Sequence, residues 1–335
     1  METLNFLQNT WFILVGVLLL GYSILDGFDL GIGSLLPFLA KKEEEKKALM
    51  NVIGPLWDGN EVWLLTGGGA LFASFPHAYA TVFSGFYLAM ILVLFSLIFR
   101  AVSIEFYAHD EKHRKIWEWS FIIGSFLPSL LFGVALGNVV VGIPLDAQME
   151  FTGNFFTLLR PFPLVIGLLG LNAILLQGTT FAAVKTGGDT RDRARALTEK
   201  LWLSFIVLFA LSLVMTIIYL PGALGRVLAW IAAFAVIAGW FLLRGFARKG
   251  KDTLSFYMSS LSFAGLWGIV GAIQFPNLVR ASGDLSLSLT VRNASSTALT
   301  LKVMLIIALI GMPLVLFYTY YIFKIFRGNV KMSGT

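Results

Sequence analysis

The stretch LWDGNEVWLL, residues 56–65, sets two carboxyl groups three positions apart among Trp, Leu and Val. Thr66, Gly67, Gly68 and Gly69 follow, and then another apolar run. Whether Asp58 and Glu61 lie in water or in lipid decides the fold. Hydrophobic residues make up 57% of the chain and charged residues 13%, against about 25% charged in an ordinary soluble domain. The mean hydropathy is +0.81. Apolar runs recur along all 335 residues, and no window is polar enough to be a separate soluble domain. The sequence reads as an all-α integral membrane protein.

A membrane-crossing helix needs ~20 mostly apolar residues. Nine runs meet that need: 10–39, 52–75, 78–101, 116–142, 161–184, 201–220, 226–244, 255–275 and 299–326. The first is too long for one perpendicular crossing and is expected to tilt, or to bend near Gly27, Gly31 and Gly33. Residues 1–9 carry no basic segment, and no small-residue cleavage site follows, so the first run reads as a retained span. Lys and Arg then test the count. Twenty of the 25 fall in the segments joining spans 1–2, 3–4, 5–6 and 7–8 and in the C-terminal tail. The other five are Arg160, Arg226, Arg280, Arg292 and Lys302. Positive charge gathers on the cytoplasmic side, so the N-terminus is expected outside and the C-terminus in the cytoplasm. The net charge of +6 then reflects topology and an anionic inner leaflet, with no call for nucleic acid.

Residues 1–142 are expected to form a first four-helix unit, and 143–298 a second, with long outer connections at 143–160 and 276–298. Residues 299–335 add one more helix and a cytoplasmic tail. Asn293-Ala294-Ser295 fits a glycosylation sequon, but the Ser/Thr cluster before the ninth span reads better as a helix cap.

Two acidic pairs lie within spans: Asp26 and Asp29 in DGFDLGIG, Asp58 and Glu61 in WDGNEVW. Each pair is spaced i, i+3 and shares one helix face. A charge at mid-membrane costs ~2.5–3.5 kcal/mol on the insertion scale, so these acids must face protein or water. A buried carboxyl group beside a second one favours its protonated form, which suits proton relay. The competing reading is that the acids are protonated or bonded to backbone and only fasten helices. Gly67 to Gly69 admit a neighbouring helix or a large flat ligand closely. Trp57 and Trp63 flank the acids, which suits packing or cavity lining as well as interfacial anchoring. Arg100, in LIFRAVSIEFY, either snorkels to the cytoplasmic surface or pairs with an intramembrane acid.

The chain has no cysteine, which excludes disulfides, thiolate metal sites and c-type haem attachment. Its three histidines, His77, His109 and His113, all lie in expected loops, so no histidine is placed to hold a haem at membrane depth. His109 and His113 are spaced i, i+4, but in a solvated basic loop this is a weak metal signal.

The strings GYSILDGFDLGIG, WDGNEVWL, GGGALFASFP, FSGFYLAMILVL, FRAVSIEFY, GSFLPSLLFGVALGN, TGNFF and SSTALTL, in that order, together resemble subunit II of the cytochrome bd-type quinol oxidases. The resemblance runs from about residue 10 to 325 and is weakest between 185 and 250. It implies two four-helix bundles plus one peripheral helix in a bacterial or archaeal cell membrane. It implies a subunit I partner that ligates two b haems and haem d and oxidises quinol, and a complex that reduces dioxygen to water and generates a membrane potential. A small single-span accessory subunit is an optional companion. The resemblance carries a proton-path role to Asp58, with Glu61, Asp29, Asp26 and Arg100 as supports, and an oxygen-access role to Trp63. Some family members have Gln at the position of Glu61, so Glu61 is not indispensable throughout the family. Quinone has been associated with this subunit in some members, but no residue here locates a site.

The rival reading is a proton-coupled secondary transporter, which also needs buried acids and interrupted helices. The acids occur in spans one and two with no counterparts in five and six. That asymmetry favours a one-sided interface with another protein. A purely structural scaffold is the third reading.

Overall fold

The computed structural model describes residues 2–326 and Gly328. The first half of the chain comprises helices α1 (Glu2–Leu39), α2 (Glu43–Ile53), α3 (Trp57–Ser74), α4 (Pro76–Gly85), α5 (Tyr87–His109) and α6 (Arg114–Val141). The second half comprises α7 (Pro161–Lys185), α8 (Gly188–Tyr219), α9 (Val227–Arg248), α10 (Asp252–Gln274) and α11 (Ala298–Ile325). Two short strands, β1 (Asn277–Val279) and β2 (Leu289–Thr290), lie between α10 and α11 and pair antiparallel.

Among the described residues, eight of these helices are long and apolar enough to cross a membrane: α1 and α5 to α11. The sequence predicts nine such runs, and the difference lies at residues 52–75. There the chain does not run as one helix. The amphipathic α2 ends at Ile53, a turn carries Gly54, Pro55 and Leu56, and α3 starts at Trp57. Pro55 has no N–H to donate to a continuing helix. Asp58 therefore sits in the first turn of α3, where the exposed N–H groups of a helix start favour an acid. The expected run 78–101 is also divided, at Phe86, into α4 and α5. By contrast, α1 is one uninterrupted helix of 38 residues, ~57 Å at 1.5 Å per residue.

Helix α7 is the most enclosed of the eight and α11 the least, with 72% and 6% of their apolar windows buried. Helix α1 packs against α3, α6 and α7, and α7 also packs against α6, α8 and α10. Small residues make this possible, because lipid chains are as apolar as Leu and helices associate in lipid by close packing. Gly31 of α1 and Gly178 of α7 meet backbone to backbone. A Cβ on Gly178 would fall 2.5 Å from the Gly31 carbonyl carbon and 2.6 Å from its Cα. One turn away Phe28 stacks on Phe181, with ring centroids 3.8 Å apart.

Both long connections sit at one end of the bundle, joined by a bridge between Ile143 and Ala281. Arg292 ties the β1–β2 hairpin to the start of α1 by donating to Asn5 O (3.2 Å), Gln8 Oε1 (2.6 Å) and Asn9 Oδ1 (3.0 Å). Asn293 accepts from Thr290 N at 2.7 Å, and the Thr297 hydroxyl caps α11 by accepting from Thr300 N at 3.3 Å. The capping reading of the Ser/Thr cluster holds. At the opposite end, Arg193 of α8 donates to Leu39 O (2.8 Å) and pairs with Glu45 of α2 (2.6 Å). Burial alone would push the Glu45 carboxyl up. Arg193 and the backbone N–H groups of Lys41 and Lys42 outweigh it and hold that carboxyl at about 2.

The Gly31–Gly178 contact is testable. Gly178→Val should lower the melting temperature in detergent, with a loss of about 1–3 kcal/mol or more, the usual scale of overpacking. Gly271→Ala, whose added Cβ meets nothing within 4 Å, should stay within about 0.5 kcal/mol of the parent. Equal melting temperatures for the two variants would contradict the packing account.

Candidate functional site

The acids of α1 point into the bundle. Asp26 and Asp29 are 0% exposed, and Arg100 of α5, at 1%, is buried with them. The Arg100 guanidinium donates to both carboxylate oxygens of Asp26, Nη2 to Oδ1 at 2.7 Å and Nη1 to Oδ2 at 3.3 Å. Its Nη2 also lies 3.9 Å from Asp29 Oδ2. Asn60 of α3 donates to that same Asp29 oxygen at 2.8 Å and to Leu25 O at 3.2 Å. Three helices thus meet on one polar knot in an apolar interior. The i, i+3 spacing of Asp26 and Asp29 lets both reach one guanidinium.

Arg100 pairs inside the bundle and does not snorkel. Two charges removed from water carry a desolvation cost of several kcal/mol each, which only good geometry and further hydrogen bonds offset. The two-point Arg–carboxylate contact is the strong form of that bond. Asp26 is accordingly ion-paired, and not merely bonded to backbone near Gly27.

Glu61 is half-buried on α3, within electrostatic reach of Arg100, Asp26 and Asp58. Asp58, one turn earlier, is exposed. It shares the outer face of α3 with Val62, Leu65, Thr66, Gly69 and Phe72, all exposed and mostly apolar. The inner face carries the buried Asn60, Trp63, Gly67 and Ser74. The four acids expected from the sequence therefore differ in burial: Asp58 is exposed, Glu61 half-buried, and Asp26 and Asp29 fully buried.

The flanking residues divide. Trp63 is 7% exposed and packs its ring on Gly21 of α1, where no Cβ could fit. Gly67 gives α3 its approach to Leu18 and Leu19 of α1, whereas Gly68 and Gly69 meet nothing within 4 Å. Tyr22 was not singled out from the sequence. It lies on α1 four residues before Asp26 and seven before Asp29, a helical repeat that a reading confined to acids passes over. Its buried hydroxyl lies beside the Asp26 carboxylate and within electrostatic reach of Arg100. Asp29 Oδ1 and Arg100 Nε close no hydrogen bond. The knot thus holds spare capacity, as one acceptor oxygen and one donor.

The histidines stand apart from this site. His109 faces Glu105 O at 2.9 Å, and His113 pairs with Asp110 at 2.9 Å, both on the surface. Among the described residues, no group of three or more His, Cys, Asp or Glu is arranged to hold a metal ion.

Comparison with known proteins agrees with this architecture. The family described as cytochrome bd terminal oxidase subunit II matches residues 7–326. Similar curated proteins include cytochrome bd-I ubiquinol oxidase subunit 2 of Escherichia coli K12, 38% identical over 95% of this chain and 93% of that one. Cytochrome bd ubiquinol oxidase subunit 2 of Bacillus subtilis is 36% identical over 95% and 96%. A chain of the bd oxidase structure from Geobacillus thermodenitrificans superposes with a TM-score of 0.81 over 96% of this chain and 98% of that one. At 15% identity that superposition speaks to the fold alone. The match across nearly the whole length, together with the identity to curated relatives, places this chain in the cytochrome bd terminal oxidase subunit II family.

Proposed function

We propose that this chain is the haem-free subunit II of a bd-type terminal oxidase, a membrane complex that oxidises quinol and reduces dioxygen to water. In this reading α3 also crosses the membrane and brings the spans to nine, two four-helix units and the peripheral α11 lie in the bacterial cell membrane, and the C-terminus is cytoplasmic. Subunit I is the partner and carries the b haems and haem d. The residues of this chain do not fit a resident haem. Among the described residues the histidines lie at helix ends, and the buried polar knot is built from Asp26, Asp29, Arg100 and Asn60.

The role we assign is proton delivery. One observation carries it: the graded line from exposed Asp58 through half-buried Glu61 to Asp29 and Asp26. Reducing dioxygen consumes protons, and hydrocarbon supplies none. Asp58 takes a proton at the end of the bundle where the Lys and Arg residues gather, and Glu61 passes it inward. Asp29, with a free oxygen, extends the route, while the Arg100–Asp26 pair stays intact and keeps it in register. Four carboxyl groups against one guanidinium leave acid in excess, so protons can load and leave without breaking that pair. Asp58 stands on an otherwise apolar exposed face, which an apolar partner subunit would cover. Trp63, on the inner face of α3 against Gly21, borders oxygen access. The transporter reading finds no support in these relatives.

Asp58→Asn should cut oxygen consumption ~10-fold or more while subunit I and its haem bands still co-purify. That is less than the 10²–10⁴ of a directly placed acid or base, because water can partly bypass one relay group. Unchanged turnover would remove Asp58 from the route. Trp63→Phe should shift the apparent affinity for oxygen more than that for quinol. An equal effect on both would leave Trp63 a packing residue only.

A further inference from the structure

The expected topology keeps only five of the 25 Lys and Arg residues on the side that carries the two long connections. Two of them are tied to protein. Arg160 donates to Asn138 Oδ1 at 3.1 Å and to Gly142 O, and Arg292 pins the hairpin to α1. A third, Lys302, is exposed on α11. The remaining two, Arg226 and Arg280, share one pocket of about 240 Å³. Neither guanidinium has a protein partner among the described residues. Asp284, the acid closest in sequence to Arg280, is occupied as the cap of a short 3-10 turn and accepts from Ser286 N at 2.9 Å.

The pocket is built by two stretches remote in sequence, residues 220–226 and 273–288. The turn after α8 provides Leu220 and Arg226, the end of α10 provides Ile273, and the hairpin region provides Asn277, Arg280 and Leu285. Its volume far exceeds the ~10–15 Å³ that one water needs. Two unneutralised guanidinium groups in one pocket repel each other, and a bridging anion removes that repulsion. The planar fork of Arg matches phosphate, with charge-assisted bonds from two N–H groups. The lining is mainly polar, with Leu220, Ile273 and Leu285 beside the two guanidinium groups. The pocket also stands where α8 and α10 end and α9 begins. Beside it Val227, Leu228 and Trp230 are exposed, and the Trp230 indole donates to Leu224 O at 2.9 Å. Tryptophan with its polar edge satisfied and its ring exposed is characteristic of the bilayer surface.

We infer that this pocket holds the phosphate of an anionic lipid headgroup, bound by Arg226 and Arg280 together, with the acyl chains lying along the exposed apolar side of α8 and α9. The binding is distinct from the acid route and does not depend on it.

The test uses the purified complex in mild detergent, stripped of lipid and titrated with phosphatidylglycerol, with retained lipid counted by native mass spectrometry. The parent protein should retain one phosphatidylglycerol more than the Arg226→Gln/Arg280→Gln variant, and millimolar inorganic phosphate should not remove it. Arg226 is exposed and Arg280 half-buried, so the double variant should melt with the parent when lipid is absent. If it does not, the exposed Arg226→Gln alone carries the comparison. Displacement by inorganic phosphate would keep the anion site and overturn its lipid assignment. Equal retention by parent and variant would overturn the site.

Discussion

A bond between one guanidinium and one carboxylate, sealed from water, organises this bundle. Arg100 and Asp26 meet at 2.7 Å with both side chains enclosed. Each would be costly alone in that environment, so α1 and α5 are held to a separation that lets them bond. The packing around the pair is fitted to it. Gly124 of α6 lies so close to α5 that a Cβ there would be 2.9 Å from Arg100 N, and Gly31 brings α1 onto α7 in the same way. Asn60 extends the polar knot to α3. Specific bonding and small residues thus do what the hydrophobic effect cannot do between helices in lipid.

The same arrangement separates two kinds of acid. Asp26 is committed to Arg100 by two hydrogen bonds. Asp29 has one oxygen bonded to Asn60 and the other free, and Glu61 and Asp58 lie progressively closer to the surface. A static pair beside a series of less constrained carboxyl groups is a physical basis for the proposed proton relay. The exposed apolar face around Asp58 fits the same proposal, since an acid there needs cover from something other than lipid.

Much of this was legible in the chain. The i, i+3 acids, the apolar runs and the Lys and Arg placement all point to a multi-span bundle with a polar interior. Four features were not. The break at Gly54-Pro55-Leu56 is marked by proline, yet the hydrophobic residues on both sides blur it into one run. The fate of Arg100 is undetermined locally, because snorkelling and pairing need the same side chain and differ only in what a distant helix offers. Tyr22 shows no chemistry by itself and gains it only from a position one turn from Asp26. The β1–β2 hairpin, with strands of three and two residues, is too short for any alternation to announce it.

The most direct measurement of the central claim is a stability cycle on the pair, comparing the thermal unfolding of the complex in Arg100→Leu, Asp26→Leu and the double variant. Removing one partner leaves a buried uncompensated charge, which typically costs about 3–5 kcal/mol. Removing both leaves neither member of the pair buried without the other. The account predicts that each single variant is much less stable than the parent and that the double variant is more stable than either single. Losses that simply add in the double variant would contradict it.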